Sequence, residues 1–322
     1  MHSTGKSILA LSGGVGGAKL ALGLADVLAP GQLHIIANTG DDFRHLGLHI
    51  SPDIDTLLYT LSGNANEAQG WGRAEETWHA MAALERLGGD TWFRLGDKDL
   101  ATHLWRTGEL HKGASLAQVT DALTRQLGIA SHIHPMCEQA VRTTVYCADQ
   151  DVPFQHYFVK ARCEPVVRGF GFEGIADARP NDSVMALLRN AAFSTIVVCP
   201  SNPFVSIDPI LQIPGFWPAL RDNPAPVILV SPIVAGLAIK GPTAKMMAEL
   251  GMPVTALGVA EHYCNRFPGL LDYFVIDESD VTLGAEIASL GVAVAVAPTV
   301  MKCRADKQRL ARFTLDLVAG QD

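Results

Sequence analysis

The chain has 322 residues, of which 48% are hydrophobic and 18% are charged. This is the composition of a globular protein with a large core, and it excludes a disordered or fibrous chain. Lys and Arg number 25 against 33 Asp and Glu, so the formal net charge is −8. An acidic chain gives no reason to expect binding to nucleic acid, which depends on Lys and Arg to displace counterions.

The first residues and the cysteine spacing both indicate a cytoplasmic protein. Glycines and Lys19 interrupt the apolar stretch 7–28, so this stretch does not resemble a signal peptide. No run reaches the roughly 18 apolar residues that a membrane helix needs, and we expect no contact with a membrane. No two of the six cysteines are closer than ten positions, which excludes zinc-ribbon spacing and indicates scattered reduced thiols.

The chain begins with a pattern of strand, glycine loop and helix. The apolar run 7–11 leads into Ser-Gly-Gly-Val-Gly-Gly at 12–17, and the composition of 18–28 predicts a helix. A second apolar run, 33–37, ends in Asn-Thr-Gly-Asp-Asp at 38–42. Both loops follow predicted buried strands. Because open parallel sheets bind their ligands at the carboxyl ends of the strands, we expect the site there.

The remaining elements predict an α/β fold. Helices are predicted over 53–61, 74–87, 99–106 and 115–127, and antiparallel strands, among them 141–146 and 154–159, within 132–160. After 180, strands at 195–199, 226–230, 273–276 and 292–297 alternate with helices at 183–191, 244–250, 280–290 and 304–318. This alternation indicates a Rossmann-like, doubly wound, mostly parallel sheet with an inserted smaller helical and antiparallel lobe. We assign 1–130 and 180–322 to the core and about 131–179 to the inserted β-rich segment.

The glycine loop is a candidate anion site. Gly13, Gly14, Gly16 and Gly17 allow tight turns, and the helix that follows presents unpaired N–H groups to an anion. The loop lacks the Gly-Lys-Ser/Thr of a Walker motif, and Lys19 occupies the third glycine position of the dinucleotide fingerprint. Tight packing of the strand against the helix is the alternative explanation for these glycines.

Four aspartates, Asp41, Asp42, Asp53 and Asp55, fall within one short window. Adjacent carboxylates at a strand end repel each other unless a cation offsets their charge. Oxygen ligands of this kind suit Mg²⁺, which takes one or two carboxylates together with waters and substrate phosphates. Asp53 has a second explanation, because it or Ser51 is placed to cap a predicted helix.

Two further strand ends carry polar side chains. Ser201 and Asn202 follow one predicted strand, and Ser231 follows the next. Their hydroxyl and amide groups suit a polar ligand, but residues of these types also form ordinary turns.

Taken together, these motifs resemble the 2-phospho-L-lactate transferase family, which acts in the biosynthesis of a deazaflavin coenzyme. The resemblance extends from about residue 8 to the end of the chain. The matching segments are Leu-Ser-Gly-Gly-Val-Gly-Gly-Ala-Lys at 11–19, Asn-Thr-Gly-Asp-Asp at 38–42, Ser-Pro-Asp-Ile-Asp-Thr at 51–56, Gly-Trp-Gly at 70–72, Leu-Gly-Asp-Lys-Asp-Leu-Ala-Thr-His at 95–103, Pro-Ser-Asn-Pro at 200–203 and Ser-Pro-Ile-Val at 231–234. The resemblance implies a Rossmann-like core with a smaller lobe, a homodimer and a requirement for Mg²⁺.

The resemblance also implies a reaction and its residues. The ribityl hydroxyl of 8-hydroxy-5-deazariboflavin attacks the phosphorus of a guanylylated three-carbon acid, and GMP leaves. The deazaflavin-binding residues of the family fall on Asp55 and Arg94, and the carboxylates associated with the metal and with catalysis fall on Asp41 and Asp55. Our candidates for binding the guanine nucleotide are Gly13, Gly14, Gly16, Gly17, Asn38, Ser201, Asn202 and Ser231.

Departures from the family pattern leave the donor open. Phe-Arg-His at 43–45 and Pro-Met-Cys-Glu at 135–138 differ from many members, so phospholactate, phosphoenolpyruvate and phosphoglycerate derivatives all remain candidates. One alternative function is a nucleotide or nucleotide-sugar binding or regulatory protein of the same fold; the segments at 70–72 and 95–99 disfavour it. An NAD-dependent oxidoreductase is disfavoured because Asn38 stands where an acidic residue would bind the ribose.

Overall fold

The computed structural model describes residues 6–67, 69, 71–239 and 241–319. In these residues the strands are β1 (Ser7–Ser12), β2 (Leu33–Ala37), β3 (Phe43–His45), β4 (Leu48–Ile50), β5 (His132–Pro135), β6 (Arg142–Cys147), β7 (Asp151–Pro153), β8 (Val167–Glu173), β9 (Phe193–Val198), β10 (Val227–Val230), β11 (Ile233–Val234), β12 (Leu237–Ala238), β13 (Tyr273–Ile276) and β14 (Ala293–Val296). The α-helices are α1 (Val15–Val27), α2 (Pro52–Leu61), α3 (His79–Arg86), α4 (Asp97–His111), α5 (Leu116–Gln126), α6 (Asp182–Arg189), α7 (Asp208–Leu211), α8 (Phe216–Arg221), α9 (Thr243–Glu249), α10 (Ala256–Arg266), α11 (Gly284–Ala288) and α12 (Arg304–Asp316). Two π-helices, His156–Lys160 and Pro203–Ile207, and two 3₁₀ helices, Ile175–Asp177 and Glu278–Leu283, complete them.

A parallel sheet lies at the centre of the protein. Within the described ranges it has seven strands in the order β14-β13-β10-β9-β1-β2-β5, and every neighbouring pair is parallel. From β1 the chain proceeds through β2 to β5 on one side, and through β9, β10 and β13 to β14 on the other. The predicted doubly wound sheet is therefore confirmed. Its strand order reverses between β1 and β9, where such folds bind ligands at the carboxyl ends of the strands.

The central strands are apolar because helices cover both faces of the sheet. Along β1, Ile8 and Ala10 pack into one hydrophobic core while Leu9 and Leu11 pack into the other. This alternation follows from the two-residue period of a strand. Helices α1 and α12 contact each other closely.

A second, antiparallel sheet has the order β7-β6-β8. The strand predicted over 154–159 is wrong, since this stretch is helical and includes the π-helix His156–Lys160. Phe154 and Tyr157 are buried at a spacing of three, and Phe154 stacks on Phe158 four positions on, with ring centroids 5.5 Å apart. That spacing is helical. β5 also lies within 131–179, yet it joins the central sheet in parallel with β2.

Two smaller features complete the surroundings of the site. β3 and β4 form a hairpin whose turn residues, Leu46 and Gly47, have φ of 52° and 77°, as a type I′ turn requires. Helix α3 begins at His79 and is shorter than the predicted 74–87. In the part of the chain that the structure describes, no helix combines the length and the apolar character needed to span a membrane.

Candidate active site

The glycine loop meets the end of β9 at the point where the strand order reverses. The backbone N–H of Gly13 donates to Ser201 Oγ at 3.0 Å. Helix α1 begins at Val15, so Gly16 and Gly17 lie in its first turn rather than in the loop. The N-terminus of α1 has no side-chain cap and no acidic residue in its first turn. Such an end leaves backbone N–H groups without intrahelical partners.

Close packing explains why the loop consists of glycines. A Cβ at Gly16 would overlap the carbonyl oxygen of Pro200, and a Cβ at Gly14 would lie 2.8 Å from Asp53 Oδ1. Gly13 and Gly17 are similarly crowded by serine side chains. The packing explanation offered by the sequence therefore accounts for the glycines without any ligand, and the assignment of this loop to a nucleotide remains a prediction.

Asn38, at the end of β2, joins two of the aspartates. Its buried Nδ2 donates to Asp53 Oδ2 at 3.0 Å and to Asp41 Oδ1 at 3.3 Å, and also lies 3.2 Å from the carbonyl oxygen of Val205. Its Oδ1 accepts a hydrogen bond from Gly40 N at 2.8 Å, which fixes the orientation of the amide. The Asn-Thr-Gly-Asp-Asp segment thus holds Asp41 beside the first turn of α2.

Burial raises the pKa of three of these carboxyl groups. The pKa of Asp41 is held well above its usual value by burial and by the charges of Asp53 and Asp42. Burial raises the pKa of Asp53 to about 7, and the charge of Asp42 contributes to this rise. The hydrogen bond from Asn38 acts in the opposite direction and lowers the pKa. Burial also raises the pKa of Asp42, although His49 and Ser51 donate to it at 3.0 and 2.7 Å. The cluster therefore resists carrying its full negative charge.

Gln155 connects the antiparallel lobe to this cluster. Its Nε2 donates to Asp41 Oδ2 at 3.3 Å, and its side chain is buried. The strand predicted over 154–159 contained no signal for this contact, because the stretch is helical.

Asp55 is paired with a buried arginine. Arg106 on α4 donates from NH1 to Asp55 Oδ2 at 3.1 Å and from NH2 to Asp55 Oδ1. The side chains of Arg106 and Asp55 are 0% and 7% exposed. Arg106 NH1 also lies 3.2 Å from His103 Nδ1. Both oxygens of Asp55 therefore already have a cationic partner, and its assignment to the metal stays a prediction.

The spacing of α4 contained a signal for this network. Asp99, His103 and Arg106 lie on one face of the helix, at intervals of four and three residues. His103 Nε2 is 3.2 Å from Asp99 Oδ1, which accepts a hydrogen bond from Tyr59 OH at 2.6 Å. Asp99 and His103 lie in the matching segment 95–103, but the sequence patterns assigned no role to them or to Arg106 and Tyr59.

The Leu-Gly-Asp-Lys-Asp segment takes part in a reciprocal capping arrangement between helices α3 and α4. Glu76 accepts hydrogen bonds from the backbone N–H groups of Lys98 and Asp99, both at 2.8 Å, at the start of α4. In return, Asp97 accepts from His79 N and Ala80 N, both at 3.1 Å, at the start of α3. A Cβ at Gly96 would overlap Glu76, which explains the glycine.

Arg94 lies just before this arrangement, and its side chain is exposed. Its guanidinium carbon lies 4.8 Å from the centroid of the Trp78 ring. Gly70 of the Gly-Trp-Gly segment lies outside the described residues. The structure gives no contact of Arg94 with the aspartate cluster within its described ranges.

The candidate nucleotide residues Ser201, Asn202 and Ser231 all have hydrogen-bond partners within the protein. Asn202 Oδ1 accepts from Phe204 N at 2.9 Å. Ser231 Oγ donates to the carbonyl oxygen of Ile233 at 2.9 Å. Ser201 binds the glycine loop as described above. Ordinary turn formation therefore accounts for Asn202 and Ser231, and packing against the glycine loop accounts for Ser201. Contact of these side chains with a nucleotide remains a prediction.

The donor set suits Mg²⁺ only as a partial site. Among the described residues, no group of three or more His, Cys, Asp or Glu side chains is placed to hold a metal ion. Mg²⁺ commonly takes one or two carboxylates and completes its coordination with waters and phosphates. The carboxylates around Asn38 fit that pattern.

Comparison with known proteins agrees with the motifs. The model of the family described as 2-phospho-L-lactate transferase CofD matches residues 8–304. A phosphoenolpyruvate transferase of Kitasatospora aureofaciens is 38% identical over 316 residues, which cover 96% of this chain and 97% of that protein. The phosphoenolpyruvate transferase of Streptomyces coelicolor is 37% identical with the same coverage. That of Mycobacterium ulcerans is 38% identical over 326 residues, covering 95% of this chain and 97% of its own.

Solved structures share the fold. A crystal structure of a UPF0052-family protein from Bacillus halodurans covers 97% of this chain and 99% of its own, with a TM-score of 0.63 and 15% identity. A second structure of that protein gives a TM-score of 0.65 at the same identity, with 97% and 100% coverage. At this identity the likeness concerns the fold alone. The family match and the relatives together show that the chain is a transferase that belongs to the 2-phospho-L-lactate transferase family.

Proposed function

We propose that this protein transfers a phosphoenolpyruvyl group from a guanylylated diphosphate donor to the terminal ribityl hydroxyl of 8-hydroxy-5-deazariboflavin. The observation that carries the reaction type is the family match over residues 8–304. The choice of the enolpyruvyl group is supported by the relatives at 37–38% identity, which are named phosphoenolpyruvate transferases.

In this reaction one bond forms and one breaks at a single phosphorus. The ribityl oxygen bonds to the phosphorus that bears the enolpyruvyl group, the bond from that phosphorus to the GMP oxygen breaks, and the hydroxyl proton is released. Such a transfer depends on positioning and on neutralising charge, more than on covalent participation of the protein. Mg²⁺ bound at the aspartates would offset the negative charge of the phosphate oxygens.

The donor diphosphate binds, in this proposal, at the glycine loop and the N-terminus of α1. The absence of a side-chain cap on α1 supports this placement, because uncapped N–H groups and the helix dipole favour an anion. Lys19 Nζ donates to the carbonyl oxygen of Met301 at 3.3 Å. The backbone, and not the lysine charge, therefore makes the main contact with the phosphates.

The acceptor binds between Asp55 and Arg94. The exposed guanidinium of Arg94 is planar and suits a planar, partly anionic ring system. Asp55 is oriented by Arg106, and each of its oxygens keeps a further lone pair for a hydroxyl group. We also propose that the protein is cytoplasmic and that it forms a homodimer. Light scattering after size exclusion tests the homodimer directly.

A transfer assay with purified protein tests the function. The acceptor and Mg²⁺ are supplied with the guanylylated forms of phosphoenolpyruvate, phospholactate and phosphoglycerate in separate reactions. We expect kcat/KM to be higher for the enolpyruvyl donor by roughly tenfold, about 1.4 kcal/mol of transition-state stabilisation. A preference for the lactyl donor would overturn the choice of acid. No product from any donor, with guanine nucleotide still bound, would favour a nucleotide-binding protein of the same fold.

A further inference from the structure

Four aspartates lie close together at the end of β2 and the start of α2, and within the described ranges two of them, Asp55 and Asp42, have a basic side chain beside them. Asp55 is paired with Arg106, and Asp42 lies 3.0 Å from His49 Nε2. Among the described residues, neither Asp41 nor Asp53 forms an ion pair. Both are buried. Buried carboxylates without a cation are costly unless a proton or a bound cation neutralises them.

The structure holds these two carboxylates toward each other. Asn38 Nδ2 donates to one oxygen of each, and the orientation of its amide is fixed by Gly40 N. An amide carries no net charge, so it fixes the positions of Asp41 and Asp53 without neutralising them. Asp41 Oδ2 also accepts a hydrogen bond from Gln155 Nε2 at 3.3 Å. A carboxylate oxygen that accepts one hydrogen bond keeps a lone pair, so both carboxylates retain the capacity to bind a cation.

A buried oxygen beside the pair points to a missing partner. Asp42 Oδ1 has no hydrogen-bond partner in the described structure, and the Asp42 side chain is only 10% exposed. Asp42 acts electrostatically on both Asp41 and Asp53. A carboxylate oxygen that is buried and unsatisfied costs free energy, which a cation or a water bound to that cation would recover.

The position of Asp53 connects the pair to the glycine loop. Its Oδ1 lies so close to Gly14 that a Cβ there would be 2.8 Å away. The Asp53 carboxylate therefore borders the N-terminus of α1, where the donor diphosphate is proposed to bind. Asp55 points instead to Arg106 on α4.

We propose that Asp53, together with Asp41, provides the protein ligands for Mg²⁺, and that Asp55 is not a ligand. The proposal rests on the proposed function, since the donor phosphates and waters complete the coordination. It differs from the assignment that the family resemblance implies, in which Asp55 accompanies Asp41. Asp55 keeps its place as a contact of the acceptor, oriented by Arg106.

The assignment is tested without turnover by measuring Mn²⁺ binding with electron paramagnetic resonance, in the presence and in the absence of GDP. The wild type is compared with Asp53→Asn, Asp41→Asn and Asp55→Asn, and with Asp121→Asn as a control on an exposed ion pair. We expect Asp53→Asn and Asp41→Asn to weaken Mn²⁺ binding by roughly tenfold or more. Asp55→Asn and Asp121→Asn should leave it nearly unchanged, and Mg²⁺ should compete with Mn²⁺.

Asp55→Asn leaves Arg106 buried and unpaired, so it can fail to fold. In that case the double variant Asp55→Asn/Arg106→Gln, which is neutral at both positions, replaces it. Loss of Mn²⁺ binding in a folded Asp55 variant, with Asp53→Asn unaffected, overturns the proposal and leaves the proposed function standing. Absence of Mn²⁺ binding in the wild type, even with GDP, also overturns it. The transfer assay is judged separately, by its product.

Discussion

Arg106 on α4 donates to both carboxylate oxygens of Asp55 on α2, and both side chains are buried. Two hydrogen bonds from one guanidinium restrict the rotation of the carboxylate far more than a single contact would. The direction in which Asp55 faces the site is therefore set by a residue 51 positions further along the chain.

Breaking this pair should be costly. We expect Arg106→Met to lower the free energy of unfolding by about 3–5 kcal/mol, because it leaves a buried carboxylate uncompensated. The double variant Asp55→Asn/Arg106→Met should regain most of that loss. Urea denaturation measures both, and Arg125→Met, which removes an exposed partner of Asp121, serves as the control. Equal losses for Arg106→Met and Arg125→Met would contradict the account.

The glycine at position 16 should be needed for the fold itself. Gly16→Ala places a Cβ against the Pro200 carbonyl, and we expect a loss of about 1–3 kcal/mol in stability from overpacking. Gly108→Ala is the matched control, because nothing lies within 4 Å of its Cβ in the middle of α4. That change should stabilise the protein by about 0.5–1 kcal/mol. Thermal unfolding distinguishes them, and an unaffected Gly16→Ala would show that the two loops do not pack as described.

Arg94 should act on the acceptor and not on the fold. Because its side chain is exposed, Arg94→Ala should change stability by less than about 0.5 kcal/mol. We expect it to raise KM for the deazaflavin by roughly tenfold, about 1.4 kcal/mol, with KM for the guanylylated donor nearly unchanged. Arg86→Ala, at the exposed end of α3, provides the comparison. Equal effects on both substrates would refute the assignment.

Two histidines should make the protein sensitive to mild acid. Burial and the neighbouring His132 lower the pKa of His34 to about 4, and burial with the charges of His34 and His132 lowers that of His134 to about 4. The unfolded chain protonates these groups near 6.5, so it binds protons first as the pH falls. The free energy of unfolding should therefore decrease from about pH 6.5 to about pH 4.

The variant His134→Gln isolates this effect. It removes one half-buried titrating group and the 3.1 Å contact between His34 Nδ1 and His134 Nε2. Its stability should depend less on pH across that window than the stability of the wild type. His111→Gln, on an exposed helix end, should reproduce the wild-type slope. Identical slopes for all three proteins would rule out the contact between His34 and His134 as the cause.

The sequence predicts the sheet and the edge that carries the site, because both follow from local patterns. Buried parallel strands are continuous apolar runs, and the loops that hold Gly14, Asn38 and Asp41 directly follow such runs. The four aspartates were expected to need a cation for the same reason. These features need no knowledge of distant contacts.

Local sequence patterns do not predict which side chains contact these residues. Arg106 and Gln155 reach the aspartates from elements far along the chain, and a charged or polar residue on a helix normally faces solvent. Which aspartate binds Arg106 is decided by the packing of α4 on β4, which brings Arg106 to Asp55 on α2. The helical turns at 154–160 were missed because their aromatic residues also favour strands.

Glu76 and Asp97 couple the N-terminal ends of helices α3 and α4 through reciprocal capping. The start of α4 is stabilised by a residue that precedes α3, and the start of α3 by the first residue of α4. Neither helix can fray at its N-terminus without releasing the cap of the other, so the two ends form one cooperative opening unit. Arg94 lies in the short connection between them. Local opening of this pair therefore moves the arginine away from Trp78 in the same event, and amide exchange at both helix starts should respond together when a ligand binds Arg94.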